Sequence, residues 1–304
     1  MRLVTFAVQG GAPRLGVLLA DGEIVLDVAA AAAARDVEAP ATMLELISGG
    51  VQGRATVEAL LAEASATLPL GDVTLLAPIP RPGKIIGVGL NYSQHVSESA
   101  RTLDTDKELP SRPVLFSKAV TAVVGPDAAI LHDADLTSQL DWECELAVVI
   151  GTPARRISER DAFAHVFGYS IINDISARDQ RRSGQWFFSK GQDSYAPLGP
   201  LIVTADEVAD PQSLDLGLQV NGAVKQDSNT RYMLFSIAQL IADISSGVTL
   251  EPGDVIATGS PSGVGAGFDP PQFLTPGDVV EARVQGIGVL RNHVIDARAS
   301  AGTA

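Results

Sequence analysis

Short apolar runs, each closed by a turn residue, dominate the chain from residue 84 onward. KIIGVGLN, PVLFSK, ELAVVIG, FGYSIIND, LGPLIV, LGLQVNG, DVIATG and DVVEARVQG are rich in β-branched residues and bounded by Gly, Pro, Asn or Asp, the pattern of strands. Pro-Gly-Asp occurs at 252–254 and again at 276–278, each time ahead of a valine-rich run, as turn chemistry predicts. Helical spacing is confined to a segment near 159–166 and to LFSIAQLIADISSG at 234–247. Strand following strand with little helix between them argues against a doubly wound α/β sheet and for a β-rich sandwich or roll.

The first 76 residues read differently. GVLLADGEIVLDV (16–28) places Asp21-Gly22 between two apolar runs, a hairpin signal. The alanine-rich stretch 29–34 predicts a short helix, and 41–64 carries helical spacing interrupted by Gly49-Gly50. LLAPIPRPGK (75–84), with three prolines, reads as a linker. The expected organisation is a small N-terminal α+β domain over 1–76, a linker over 77–84, a mainly β domain over 85–298 and a tail over 299–304.

Composition narrows the functional classes. The formal net charge is −14 and no basic run exceeds a pair such as Arg181-Arg182, so a phosphate-neutralising surface for nucleic acid is not expected. Mean hydropathy is +0.19, yet no apolar run reaches the roughly 18 residues of a membrane helix. The N-terminus MRLVTFAVQGG lacks the apolar middle of a signal peptide. The one cysteine, Cys144, excludes an intrachain disulfide and fits a reducing cytoplasm.

Candidate chemistry begins at LDWECELAVVIG (140–151). Glu143 and Glu145 are two apart at the threshold of an apolar strand, so both carboxylates face the same way. An edge strand turning its glutamates to water is one reading. The other needs a third ligand, which Asp174 offers where the strand of FGYSIIND ends. Three carboxylates and no histidine specify a hard divalent ion, Mg²⁺ or Mn²⁺. In GLNYSQHVSES (89–99), His95 and Glu98 stand at i, i+3, either as an exposed pair or as a base with its orienting carboxylate. His132, His165 and His293 lack such a partner and read as structural or exposed. Lys190 follows an aromatic run and either lays its stem on apolar surface or reaches a cavity. QDSNTRY (226–232) and TGSPSGVG (258–265) are loops open to a ligand, and the second lacks the closing Gly-Lys-Ser/Thr of a P-loop.

Taken in order, these motifs resemble the fumarylacetoacetate hydrolase family. They are NYSQH-x-x-E, PVLFSK, DWECELAVVIG, INDISARD, WFFSKGQDSYAPLGP, VNGAVKQDSNT, LEPGDVIATGSPSGVG and LTPGDVVEARVQGIGVLRN, and together they cover essentially all of 80–295. GVGAGFDPPQFLTPGD looks most like the "domain-containing protein 2" branch, and the N-terminal segment resembles the small domain of two-domain bacterial members. The resemblance implies a mixed β-sandwich roll, usually a homodimer, with Mg²⁺ or Mn²⁺ at one mouth. It makes Glu143, Glu145 and Asp174 the metal ligands, Lys190 the group that stabilises an enolate, and His95 with Glu98 the water-activating pair. Gln180 or Arg181, Asn229, Thr230, Gly259 and Ser260 fall in substrate-binding motifs. Gln180 follows SARD directly, one place early for the family, leaving Arg181 in its usual position, where it would favour a second carboxylate. Lys118 keeps half of a family Lys-Pro, with Ala119 in place of the proline. The implied activity is metal-dependent hydrolysis of a carbon–carbon bond in a small β-diketo or 2-oxo acid of acylpyruvate or fumarylpyruvate type. Oxaloacetate decarboxylation or isomerisation of an unsaturated 2-oxo diacid is the alternative within the family, and a non-catalytic ligand-binding protein the alternative outside that class.

Overall fold

The computed structural model describes residues 1–20, 22–93 and 109–300. Its N-terminal segment begins with β1 (Arg2–Ala7), β2 (Arg14–Leu18) and β3 (Ile24–Asp27). The hairpin expected over 16–28 forms, with Leu18 opposite Val25 and Gly16 opposite Asp27. Helix α1 (Val28–Ala34) starts where the Asp27 side chain accepts the Ala30 N–H, and α2 (Met43–Ser48) where Thr42 caps Glu45. Helix α3 (Gly50–Glu63) follows at once because Gly50 adopts φ +53°. Strands β4 (Thr67–Pro69) and β5 (Thr74–Leu76) complete the segment.

The remainder is mostly strand. Strands β6 (Ile85–Gly89), β7 (Val114–Lys118), β8 (Val123–Val124), β9 (Ala129–His132) and β10 (Leu140–Asp141) lead to β11 (Cys144–Ile150) and β12 (Val166–Asn173). After β13 (Ser176–Ala177) come a single-turn helix α4 (Phe187–Lys190), β14 (Ala196–Thr204), β15 (Asp215–Val220) and β16 (Ala223–Asn229). Helix α5 (Ile237–Gly247) opens with a capping box between Ser236 and Gln239; β17 (Val255–Ala257), β18 (Val279–Val284) and β19 (Gly288–Asp296) end the sheets. The helix expected near 159–166 is a 3₁₀ helix over Glu159–His165. Its terminal carbonyl is committed to the strand, accepting the Gly151 and Thr152 N–H groups, rather than continuing a helix.

A twelve-stranded sheet runs β4-β3-β2-β1-β14-β12-β11-β17-β6-β7, with β5 beside β1 and β8 beside β14. A five-stranded sheet runs β16-β15-β18-β19-β9, and β10 pairs with β13. The N-terminal strands therefore join the main sheet through β1 on β14, where Arg2 faces Val203 and Leu3 faces Ile202.

Strand β11 is buried along its whole length. Its even positions, Leu146, Val148 and Ile150, pack in a core shared with Leu216, Leu218, Val280 and Ala282 of the five-stranded sheet. Its odd positions, Ala147 and Val149, belong to a second core with Ile172, Ala257 and the helix residues Leu46, Ile47, Val57 and Leu60. Burial on both faces explains why the strand reads as a continuous apolar run rather than as an alternation. Parity then places Glu143 and Glu145 on the side of the second core.

Candidate metal centre

Strands β11 and β12 are antiparallel, with Cys144 opposite Asn173 and Glu145 opposite Ile172. One step outward, Asp174 donates its N–H to the Glu143 carbonyl at 2.8 Å, and the Glu143 N–H donates to Asn173 Oδ1 at 3.0 Å. Glu143 stands just before β11 and Asp174 just after β12, so the strand register itself brings them together. Glu145 lies two residues further in on the same face. One carboxylate oxygen from each of the three lies within 4.8 Å of the others, and all three residues are buried.

Buried cations surround this cluster. Lys190 donates from Nζ to Glu143 Oε2 at 2.9 Å, to Ser176 Oγ at 2.8 Å and to Asp174 Oδ2. Lys118 Nζ donates to the other Asp174 oxygen at 2.5 Å and to the Ile175 carbonyl at 3.2 Å. Arg178 pairs through Nη2 with Glu143 Oε1 at 2.6 Å and through Nε with Asp141 Oδ2 at 2.7 Å. Asp141 in turn accepts the Gly265 and Ala266 N–H groups at 2.6 and 3.0 Å, tying the 263–267 loop to the site. Burial pulls the Lys190 ammonium down, but Asp174 and Glu143 outweigh it and hold the group above its ordinary value. For Lys118 burial wins: desolvation lowers it despite Asp174, and Lys190 lowers it further.

Glu145 is the exception. It accepts the Gly259 N–H at 2.8 Å but has no ion pair among the described residues. Burial, then Asp174 and Glu143, push its carboxyl well above the usual carboxylate range. Four buried carboxylates (Asp141, Glu143, Glu145 and Asp174) thus face three buried cations. A hard divalent cation held by Glu143, Glu145 and Asp174 would supply the missing compensation, and the all-oxygen donor set fits Mg²⁺ or Mn²⁺.

The wall beside Lys190 is aromatic. Its Nζ lies 4.8 Å from the Phe116 ring centroid and 5.9 Å from that of Trp186, and the two rings are 5.3 Å apart. Both rings rest on β6 where it has no side chains. A Cβ on Gly87 would meet Phe116 at 2.1 Å, and one on Gly89 would meet Trp186 at 2.3 Å.

The other expected residues are distributed as follows. Arg181 stacks on Trp186, Cζ 4.6 Å from the ring centroid, while the Gln180 side chain turns outward to the Leu136 carbonyl at 2.5 Å. Gly259 takes φ +100° directly beside Glu145, where a Cβ would come within 2.6 Å of Asn91 Cβ. Ser260 Oγ accepts from Gln226 Nε2 at 2.8 Å. Asn229 donates to Asp215 at 2.7 Å and caps Arg231, and Thr230 Oγ1 bonds the Pro211 carbonyl and the Leu214 N–H, each at 2.9 Å. These two side chains brace the turn after β16 and are not joined to the carboxylate cluster by any of these bonds. His95 and Glu98 lie outside the described residues.

Sequence reasoning passed over Arg178, although SARD was in view, and gave Lys118 no role beyond its place in a family Lys-Pro. It also missed Gln226, which accepts the Cys144 N–H at 2.9 Å and donates to Ser260 and Pro261. Asn91, whose Nδ2 donates to the Thr258 carbonyl at 2.8 Å, was likewise unassigned. Both amides clamp β11 or its neighbour to the Gly259–Ser260 turn, and nothing in their local sequence announces that.

The family profile described as Fumarylacetoacetate (FAA) hydrolase C-terminal matches residues 84–295. The chain is 41% identical over 299 residues to "Oxaloacetate tautomerase FAHD2A, mitochondrial" of Bos taurus, covering 97% of this chain and 92% of that protein. A solved fumarylacetoacetate hydrolase of Exiguobacterium antarcticum superposes with a TM-score of 0.82 at 39% identity, covering 97% of this chain and 99% of that one. Maleylpyruvate hydrolase of Sphingobium sp. SYK-6, solved with manganese(II) and pyruvate, gives a TM-score of 0.79 at 33% identity, with 97% and 99% covered. The chain belongs to the fumarylacetoacetate hydrolase family.

Proposed function

We propose that this chain is a divalent-metal-dependent enzyme acting on small 2-oxo acids through their enolates, and that its reaction is keto–enol tautomerisation of oxaloacetate or a similar 2-oxo diacid. The observation that carries this reading is the convergence of Glu143, Glu145 and Asp174 beside the Lys190 ammonium. When bound, the divalent ion supplies Lewis acidity to the oxygens of a 2-oxo acid. The chain's own groups do the rest. Lys190 is fixed by Glu143, Asp174 and Ser176, so its positive charge is in place before negative charge develops on the 2-oxo oxygen. Lys118 adds a second ammonium on the far side of Asp174. Burial removes competing water, which strengthens both effects. The 41% identity to a protein named for oxaloacetate tautomerisation supports that choice of reaction.

The test is to follow decay of enol-oxaloacetate with Mg²⁺ or Mn²⁺ and again with EDTA, identifying products by NMR. Metal-dependent acceleration of enol–keto exchange without pyruvate release is the expected result. Stoichiometric pyruvate would make the enzyme a decarboxylase, and acceleration unaffected by EDTA would sink the reading.

Hydrolysis of an acylpyruvate is the second reading. It is favoured by the His95-x-x-Glu98 spacing and by the likeness to maleylpyruvate hydrolase. On that reading His95→Ala loses acylpyruvate cleavage yet binds Mn²⁺ as before; cleavage at the parent rate would remove it.

A further inference from the structure

Glu143 and Asp174 are each gripped by buried cations. Glu145 is not: among the described residues its hydrogen bond comes from the Gly259 N–H, at 2.8 Å. The aim of this carboxylate therefore depends on one peptide group, the one joining Thr258 to Gly259. The N–H edge of that peptide is on Glu145, and its carbonyl edge accepts from Asn91 Nδ2 at 2.8 Å. A peptide is a rigid plane, so turning it moves both edges together.

Thr258 does not need Asn91 to hold its place. Its N–H and Oγ1 both donate to the Leu146 carbonyl, at 3.1 and 2.8 Å, which fixes the residue to β11. Neither bond restrains rotation about the Thr258 Cα–C bond, and that rotation swings the next peptide. On the other side Gly259, at φ +100°, has the freest backbone of any residue type. The bond from Asn91 to the carbonyl supplies the missing restraint. Asn91 is fully buried, and Phe235 settles which way its amide faces. The Phe235 N–H can only donate and bonds Oδ1 at 2.8 Å, so Nδ2 must face the Thr258 carbonyl. In a buried site, hydrogen bonds in line also polarise one another, so an amide holding the carbonyl strengthens the N–H that meets Glu145.

We propose that Asn91 is a positioning residue for the metal centre, acting through the Thr258–Gly259 peptide to hold the Glu145 carboxylate ready for the ion. The assignment rests on the metal-dependent reading above and extends it to a residue outside the carboxylate cluster. Asn91 touches neither ion nor substrate on this assignment. It removes the reorientation of Glu145 that binding would otherwise require.

The test is calorimetric titration of the metal-free full chain with Mn²⁺, well below Tm. Asn91→Ala should weaken binding about 10–100-fold, the range for losing a residue that orients a metal ligand. Gly259→Ala leaves Asn91 in place but drives a Cβ to within 2.6 Å of Asn91 Cβ. It strains the same peptide and should weaken binding within the same range. Because both act through one peptide, the double variant should lose no more than the weaker-binding single variant. Asn91 also anchors the start of α5 through Phe235, so a control must loosen that anchor alone. Ser236→Ala removes the α5 cap and should lower Tm while leaving Mn²⁺ affinity at the parent value. If Asn91→Ala does not fold, Gly259→Ala against Ser236→Ala decides. Parent-like affinity in either peptide variant, losses that multiply in the double variant, or an equal loss in Ser236→Ala would overturn the assignment. Absence of Mn²⁺ binding by the parent would instead remove the metal reading, and this assignment with it.

Discussion

Glu143 and Asp174 each face an ammonium, whereas Glu145 faces a backbone amide and two like charges. That difference makes Glu145 the sensitive residue in metal-free protein. Its carboxyl is raised in the folded state, so the unfolded chain gives up this proton at lower pH than the folded one does. Stability therefore falls as pH rises from the ordinary carboxylate range toward the raised folded value. Glu145→Gln keeps an oxygen for the Gly259 N–H and removes the charge. In EDTA at neutral pH it is expected to stabilise the fold by about 1–3 kcal/mol, while losing the stabilisation Mn²⁺ gives the parent; an unchanged or lower Tm would contradict this. On the proposed reading, Lys190→Met removes the positive charge that faces the developing enolate. A fall in kcat of about 10²–10³-fold is expected, with Mn²⁺ affinity by calorimetry equal or higher, and parent-like kcat would refute the role. The clustering of the three carboxylates was legible because strand alternation and a strand end fix where such side chains point. Lys118 was not, because it arrives from 56 residues away on another strand, and only the folded sheet sets it on Asp174.

Strand β6 shows how an element prepares the site without touching the reacting groups. Gly87 and Gly89 leave a bare strip against which Phe116 and Trp186 pack, tilted 51° to each other, beside Lys190. Gly87→Ala and Gly89→Ala each force a ring to move and should lower stability by about 1–3 kcal/mol, read as a drop in Tm. Gly89→Ala should also lower kcat, since Trp186 supports both Lys190 and Arg181. Variants that melt and turn over like the parent would show that the strip has no such function. The run KIIGVGLN announced a strand, but not why its glycines alternate, because the rings that need the space come from β7 and from the turn before α4. The 159–166 segment misled for a related reason: apolar spacing promised a helix, and its carbonyl commitment to Gly151 and Thr152 made it a 3₁₀ turn.

For the molecule as a whole, the prolines of 75–84 suggested a boundary, while the pairing of β1 with β14 runs across it. Pairing between positions some 200 residues apart leaves no trace in local sequence. Its consequence is physical: removing 1–76 bares the edge of β14 and uncovers the core that holds Ala147, Val149, Ile172 and Ala257. A chain of 77–304 is expected to aggregate or remain unfolded, and the full chain to melt in one calorimetric transition. A folded, monodisperse 77–304 would show the two parts to be independent. The mainly β character of residues 85–298 was readable throughout, since short β-branched runs punctuated by Gly, Pro and Asp admit little else. The two-sided burial of β11 was not, because it depends on which sheet and which helices cover each face.

The most direct test of the central claim is anomalous diffraction from crystals soaked in Mn²⁺. The account predicts one strong peak coordinated by carboxylate oxygens of Glu143, Glu145 and Asp174, with Lys190 displaced from direct contact with at least one of them. A strong peak elsewhere, or none at this cluster at saturating Mn²⁺, would contradict it.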